Sequence, residues 1–167
     1  MIVYSIYTLE KVGRAMLNFF TELFGNKIFM TGVAGWFVAQ LLKTIIHLYV
    51  TKEFVLERMV GSGGMPSSHS ATVCAVVTAV GFECGVGTPE FAIALIMAII
   101  VMHDARGVRR ETGIQAKLLN EMVEVFEKMG RSELSTHDKL KEFVGHTPLQ
   151  VMAGAILGVL IALVIHI

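Results

Sequence analysis

The residues best suited to chemistry lie in Gly63-Gly64-Met65-Pro66-Ser67-Ser68-His69-Ser70, directly ahead of the apolar run Ala71 to Val80. Glycines give adaptable backbone, proline suits the first turn of a helix, and serine hydroxyls cap N–H groups. A helix starting here aims its opening N–H groups, its partial positive charge, two hydroxyls and an imidazole at one point. That is an anion site, and phosphate is the anion it fits best. The plain alternative is a well-capped membrane helix, which needs neither the glycine pair nor the histidine.

A second group, Gly145-His146-Thr147-Pro148-Leu149-Gln150, repeats the theme. Thr147 is placed as an N-cap, Pro148 at the first helical position, and Gln150 where it closes a capping box. His146 then stands just before a helix start, as His69 does. Two histidines so placed form a nucleophile and acid pair. A third group runs from His103 to Glu111. Its Arg106, Arg109 and Arg110 offer guanidinium forks that match phosphate oxygens, though they fit a topogenic anchor equally well. Asp104 is placed to orient a histidine or an arginine, or to ligate a metal, and the sequence leaves these open. Lys43, late in an apolar stretch, either snorkels to the interface or faces a polar cavity and holds phosphate.

These groups are set in a chain too apolar for an ordinary soluble protein of 167 residues, with 54% hydrophobic residues and a mean hydropathy of +0.65. A net charge of zero gives no footprint for nucleic acid. Cys74 and Cys84 match neither a metal motif nor a disulfide framework, and no cofactor or metal is called for. The first residues, Met1 to Tyr7, lack the basic stretch of a cleavable signal peptide. Four stretches are apolar enough to enter a bilayer, about 28–50, 69–85, 90–103 and 148–167, the middle two being short for a full span. Residues 1–25 read as an amphipathic interfacial helix, with Leu9, Val12, Met16, Leu17, Phe20 and Phe24 near helical spacing.

The segment 104–147 is polar and bears motifs. Ile114, Leu118, Met122, Val125 and Met129 predict an amphipathic helix closed near Gly130, and Ser135 with Asp138 predicts a short helix through Val144. Gly154 and Gly158 have the spacing of close helix contact. The expected fold is an all-α integral membrane bundle of about four membrane-embedded helices with amphipathic interfacial ones, a single domain over 1–167. If all four stretches cross, the motif side holds ten Lys or Arg (Lys52, Arg58, Arg106, Arg109, Arg110, Lys117, Lys128, Arg131, Lys139, Lys141) against Lys11, Arg14 and Lys27 opposite. That asymmetry places the motif loops in the cytoplasm, at the plasma (inner) membrane.

Four segments together, 63–71, Asp104 to Arg110, Gln115 to Asn120 and 145–151, resemble the divergent branch of the type 2 phosphatidic acid phosphatase superfamily. That superfamily is related to acid phosphatases and vanadium-dependent haloperoxidases, and the likeness covers roughly residues 27 to 160. Pro66-Ser67-Ser68-His69 is similar to its Pro-Ser-Gly-His signature, which implies that His69 protonates the leaving alcohol while Ser67 and nearby N–H groups hold phosphate. The family nucleophile is a histidine followed four residues later by aspartate, then Val-x-x-Gly-x-x-x-Gly. His146, Gln150, Val151, Gly154 and Gly158 align with it, so the resemblance implies His146 as nucleophile.

The chain departs from that pattern in three places. Gln150 replaces the aspartate, which leaves Asp104 to orient the nucleophile. Leu140 stands where an arginine is usual, with Arg109 or Arg110 to supply the guanidinium. Lys43 substitutes for the absent lysine-to-arginine-proline signature. The expected activity is hydrolysis of a lipid phosphomonoester or diphosphate through a phosphohistidine, with His146, His69 and Asp104 catalytic and Lys43, Ser67, Ser68, Arg106, Arg109 and Arg110 on phosphate. The expected partners are the lipid phosphate and the bilayer. A non-catalytic phosphate-lipid binder or transporter using the same anion site is the alternative, and a purely structural membrane protein is the third reading. The lipid, the metal dependence and the oligomeric state, a homo-oligomer included, stay open.

Overall fold

The computed structural model describes residues 2–52, 64–129 and 145–167, except the side chains of 2–10, 108–110 and 127. Every regular element among them is an α-helix: α1 (Ile2–Gly25), α2 (Lys27–Thr51), α3 (Ser68–Glu83), α4 (Pro89–Arg106), α5 (Val108–Lys128) and α6 (Pro148–His166). The starts are set by side-chain caps, each accepting an N–H three residues on: Asn26 from Phe29 at 3.0 Å, Thr88 from Phe91 at 3.4 Å and Thr147 from Gln150 at 3.4 Å. Pro89 and Pro148 occupy the first turns of α4 and α6. Pro66 does not do so in α3, because Ser67 is the cap and the proline lies one residue ahead of it.

The bundle is inside-out by the standards of a soluble protein. Its buried polar residues include Thr31, Gln40, Lys43, Thr44, Ser67, Ser68, Ser70 and His146, whereas Phe37, Ile45, Ile96, Ile100, Ile156 and Leu160 are exposed. Large apolar side chains facing outward along whole helices are what a lipid environment stabilises. Threonine hydroxyls inside α2 and α3 are satisfied locally, Thr31 donating to the Lys27 carbonyl at 2.7 Å and Thr72 to that of Ser68 at 2.7 Å. Backbone-directed bonds of this kind suit a helix that has no water to turn to. Among the described residues three stretches are long and apolar enough to cross a bilayer: α2, a window within Pro89–Phe126, and α6. The chain is an integral membrane protein.

The second apolar stretch is short of a full span, as its length in the sequence indicated. At 16 residues α3 is about 24 Å long, short of a hydrocarbon core of about 30 Å. It is instead the central helix, flanked by α2, α4 and α6, while α2 also touches α6. Small residues explain the position. Ala71, Ala75 and Ala79, one turn apart, are fully buried, and they meet glycines on both neighbours. A Cβ on Gly35 of α2 would lie 2.9 Å from both the Ala71 carbonyl oxygen and the Ala75 Cβ. On α6, a Cβ at Gly158 would collide with the same Ala71 carbonyl, and one at Gly154 with that of Ser67. The small-xxx-small spacing of α6 is therefore a backbone contact with α3.

An ion pair and a ring stack mark one end of the bundle. At the end opposite the motifs, Lys27 and His166 both approach Glu83, at 3.6 and 3.5 Å, and Phe82 stacks on His166 with ring centroids 5.5 Å apart. The starts of α3 and α6 therefore share the other end. α1 touches only α2, and α5 only α4, among the described elements. The amphipathic helix expected in the polar segment begins earlier than its apolar spacing indicated, at Val108. The short helix expected over 135–144 lies outside the described residues.

Gly158→Leu should break the α3–α6 contact and lower the thermal midpoint of the detergent-solubilised protein, overpacking of this kind costing about 1–3 kcal/mol. Gly13→Ala, where nothing lies within 4 Å of an added Cβ, should leave the midpoint unchanged. An unaltered midpoint for Gly158→Leu would contradict the assigned contact.

Candidate active site

The opening turn of α3 presents its N–H groups at the motif end of the bundle. Ser67 shapes that turn in three ways: its hydroxyl accepts from the Ser70 N–H at 3.4 Å, its own N–H donates to the Gln150 carbonyl at 3.0 Å, and its carbonyl accepts from the Ala71 N–H at 3.0 Å. The second of these bonds ties the start of α3 to the start of α6. Ser68 is buried beside it, and Ser70 is fully buried with its Oγ lacking a hydrogen-bond partner among the described residues.

His146 is held by its backbone before its ring does anything. Its N–H donates to the Ala105 carbonyl in the last turn of α4, at 3.0 Å. The ring is 2% exposed, and it meets the half-buried His69 ring edge-on, with centroids 5.8 Å apart and planes at 64°. Its Nδ1 lies 3.3 Å from Gln150 Oε1, and the same oxygen accepts the Thr147 N–H at 3.0 Å. The predicted capping box is thus present in full, and it also reaches the imidazole.

Lys43 comes in from α2. It does not snorkel: it is 3% exposed and its ammonium donates to Gln40 Oε1 at 2.8 Å, inside the bundle. Gln40 is itself buried, and its carbonyl accepts from the Thr44 hydroxyl at 2.9 Å. Gly64 lies along the lysine stem with φ of +82°, and a Cβ there would sit 3.1 Å from Lys43 Cγ. Only glycine combines that backbone angle with that approach. The first glycine motif therefore covers the stem of the buried lysine.

Electrostatics follow from this geometry. His146 stands outside the span of α6, and burial pushes its pKa below the ordinary histidine value. The hydrogen bond to Gln150 opposes that shift, the charges of His69 and Lys43 add to it, and the Gly64 carbonyl pulls weakly upward. The ring is therefore held neutral in a place that is otherwise positive. Among the described residues no group of three or more His, Cys, Asp or Glu converges on a common point where a metal ion would sit.

Other expected site residues fall differently. Helix α4 runs on to Arg106, so Asp104 lies half-buried in its last turn, one residue before the carbonyl that anchors His146. The oxygen at His146 Nδ1 belongs to Gln150 and not to Asp104. Arg106 is exposed in the last turn of α4. Arg109 and Arg110 sit in the first turn of α5, and their side chains are outside the described set. Among the described residues, the cation facing the histidines is Lys43. Gln40 was not anticipated, although the polar set Gln40, Lys43 and Thr44 on one face of an apolar helix marks it.

Comparison with known proteins agrees with this picture. The model of the divergent PAP2 family matches residues 24–161. The chain is similar to a protein of Bacillus subtilis (strain 168) named "Uncharacterized membrane protein YuiD", with 37% identity over 152 residues, covering 86% of this chain and 96% of that one. No solved structure matches. A match of that length, which takes in every site residue from Gln40 to Gln150, makes this chain a member of the divergent PAP2 family.

Proposed function

We propose that this protein is a membrane-bound phosphatase acting on a lipid phosphomonoester or diphosphate through a phosphohistidine. The observation that carries the reading is the pairing of the buried His146 with His69 at the start of α3, beside the buried ammonium of Lys43. A neutral ring nitrogen of His146 attacks phosphorus, the bond from phosphorus to the lipid oxygen breaks, and His69 gives that oxygen its proton. Water then attacks the phosphohistidine, passing a proton back to His69 and releasing phosphate from His146. Lys43 and the opening turn of α3, with Ser67 and Ser68, stabilise the charge on the phosphoryl oxygens. Arg109 and Arg110 are the candidates for an added guanidinium, and Asp104 for a supporting role beside the Ala105 anchor. We place the whole site in one membrane domain, with the motif loops on the cytoplasmic side of the plasma membrane. Binding of a lipid phosphate without turnover is the second reading, favoured by the amide of Gln150 at His146 Nδ1 where the family pattern has a carboxylate.

Phosphate release from a panel of lipid phosphates by the purified protein separates these readings. His146→Ala should abolish turnover, since no covalent intermediate can form. His69→Ala should slow lipid phosphate hydrolysis by about a hundredfold or more, and much less for an activated aryl phosphate, whose leaving group needs no proton. Aryl phosphate activity that survives in His146→Ala but not in His69→Ala would reverse the two roles.

The pH dependence has a definite sign. Attack needs neutral His146, and its folded-state pKa is lowered, so activity should persist as pH falls past the ordinary histidine value of about 6.5. The acid limb of kcat/KM should lie below that value. A limb at or above it would show that the attacking group is not the buried imidazole.

Orientation can be read from native and introduced thiols. Cys84 is exposed at the end of α3 opposite the motifs, and Glu121 is exposed on α5. In intact cells a membrane-impermeant maleimide should label Cys84, whereas Glu121→Cys in a Cys84→Ser background should label only after permeabilisation. The opposite pattern would place the motif loops outside.

A further inference from the structure

We infer that Gln150 is a positioning residue that locks the His146 imidazole in the Nδ1–H tautomer, leaving Nε2 as the nitrogen that meets phosphorus. The inference concerns the nucleophile assigned above and rests on that reading for its catalytic meaning, but not for its geometry.

The chain of constraint begins at a backbone group. The Thr147 N–H can only donate, and it points at the Gln150 side-chain amide at 3.0 Å. If the amide were turned over, its NH2 would face that N–H, donor against donor. The atom there must be the oxygen. That oxygen carries two lone pairs, and the second lies 3.3 Å from His146 Nδ1. An oxygen acceptor requires a hydrogen on the nitrogen opposite it. A neutral imidazole has one N–H, and of the ring's two acceptors Gln150 outweighs the Gly64 carbonyl, so the proton sits on Nδ1 and Nε2 holds the lone pair. The Ala105 carbonyl fixes the His146 backbone at 3.0 Å, so the ring cannot escape the constraint by moving as a whole.

Gln150 also differs from a carboxylate in what it withholds. A carboxylate at Nδ1 would draw a second proton onto the ring. The neutral amide orients the ring with a much weaker pull. The charged and titratable groups that act on the ring are Lys43 from α2 and His69 from α3, with the Gly64 carbonyl as a second, weaker hydrogen-bond acceptor. From α4, Asp104 precedes the Ala105 carbonyl that holds the His146 backbone. Burial together with Lys43 and His69 disfavours the imidazolium, and Gln150 is suited to work with them because it sets direction without adding charge.

The test uses the full chain in detergent with 15N-labelled histidine, read by ring 1H–15N NMR. His146 signals are assigned by their loss in His146→Asn. At neutral pH the wild-type ring should show the Nδ1–H tautomer. Gln150→Met, close in size but without an acceptor, should lose that tautomer and lower kcat by about a hundredfold with KM little changed, the scale of a misplaced reacting group. Gln150→Glu keeps an acceptor oxygen and adds charge, so the tautomer should persist while the ring's titration midpoint and the acid limb of kcat/KM both move upward. Thr147→Ala removes the cap hydroxyl but keeps the N–H that orients the amide. It should lower the thermal midpoint and leave the ring signals as they are. An Nε2–H tautomer in the wild type, ring signals unchanged in Gln150→Met, or a midpoint unmoved in Gln150→Glu would each overturn the inference. The tautomer is read without turnover, so a protein that hydrolyses no lipid phosphate would sink the phosphatase reading while leaving this assignment standing.

Discussion

The approach of the α3 backbone to glycines on its neighbours is the contact on which the rest of this structure depends. Gly154 leaves room for the Ser67 carbonyl and Gly158 for that of Ala71, while Gly35 does the same from α2. With the helix axes drawn together, the Ser67 N–H reaches the Gln150 carbonyl, and the starts of α3 and α6 become one layer. The distance between the His69 and His146 rings is set by that layer, not by any contact the rings make. In a bilayer, where burying apolar surface between helices brings little, such close backbone contact supplies the association that a hydrophobic core supplies in water.

The second organising feature is the way charge is treated. Lys43 and His146 each have a glutamine amide oxygen as a hydrogen-bond partner, Gln40 and Gln150 respectively. Amides hold these groups in place without cancelling positive potential, which suits the anionic ligand proposed for this site. A buried ammonium in an apolar bundle is costly to maintain, and it persists where it serves an ion or substrate pathway. Position along the bundle fits that role. The far end is closed by the Lys27–Glu83–His166 pairing, whereas the motif end concentrates the histidines and the lysine.

Local chemistry was legible in the sequence and long-range chemistry was less so. Thr147, Pro148 and Gln150 specify their capping box within four residues, so pattern alone finds it. The helices α2, α4 and α6 follow from long, mostly apolar runs. The central place of α3 does not, because hydrophobicity here marks contact with lipid and the interior is lined by Ala71, Ala75, Ala79 and glycine. Arg106 reads as part of a loop motif, whereas in the structure α4 continues past His103 and carries it as an exposed residue of the last turn. Gln40 has no local motif to announce it, and its meaning depends on the face it shares with Lys43. Gln150 was noticed as a missing carboxylate. Its oxygen, shared between the Thr147 N–H and the His146 ring, becomes visible only once the helix cap is built.

The most direct test of the central claim is to look for phosphate on the protein. Lipid phosphate labelled in the phosphoryl group, mixed with the purified protein and quenched in alkali, should leave label that is stable to base, released by acid and mapped to His146. The label should appear before free phosphate does and should be absent from His146→Ala. Rapid turnover with no label on His146, or label on another residue, would contradict a phosphohistidine at this site.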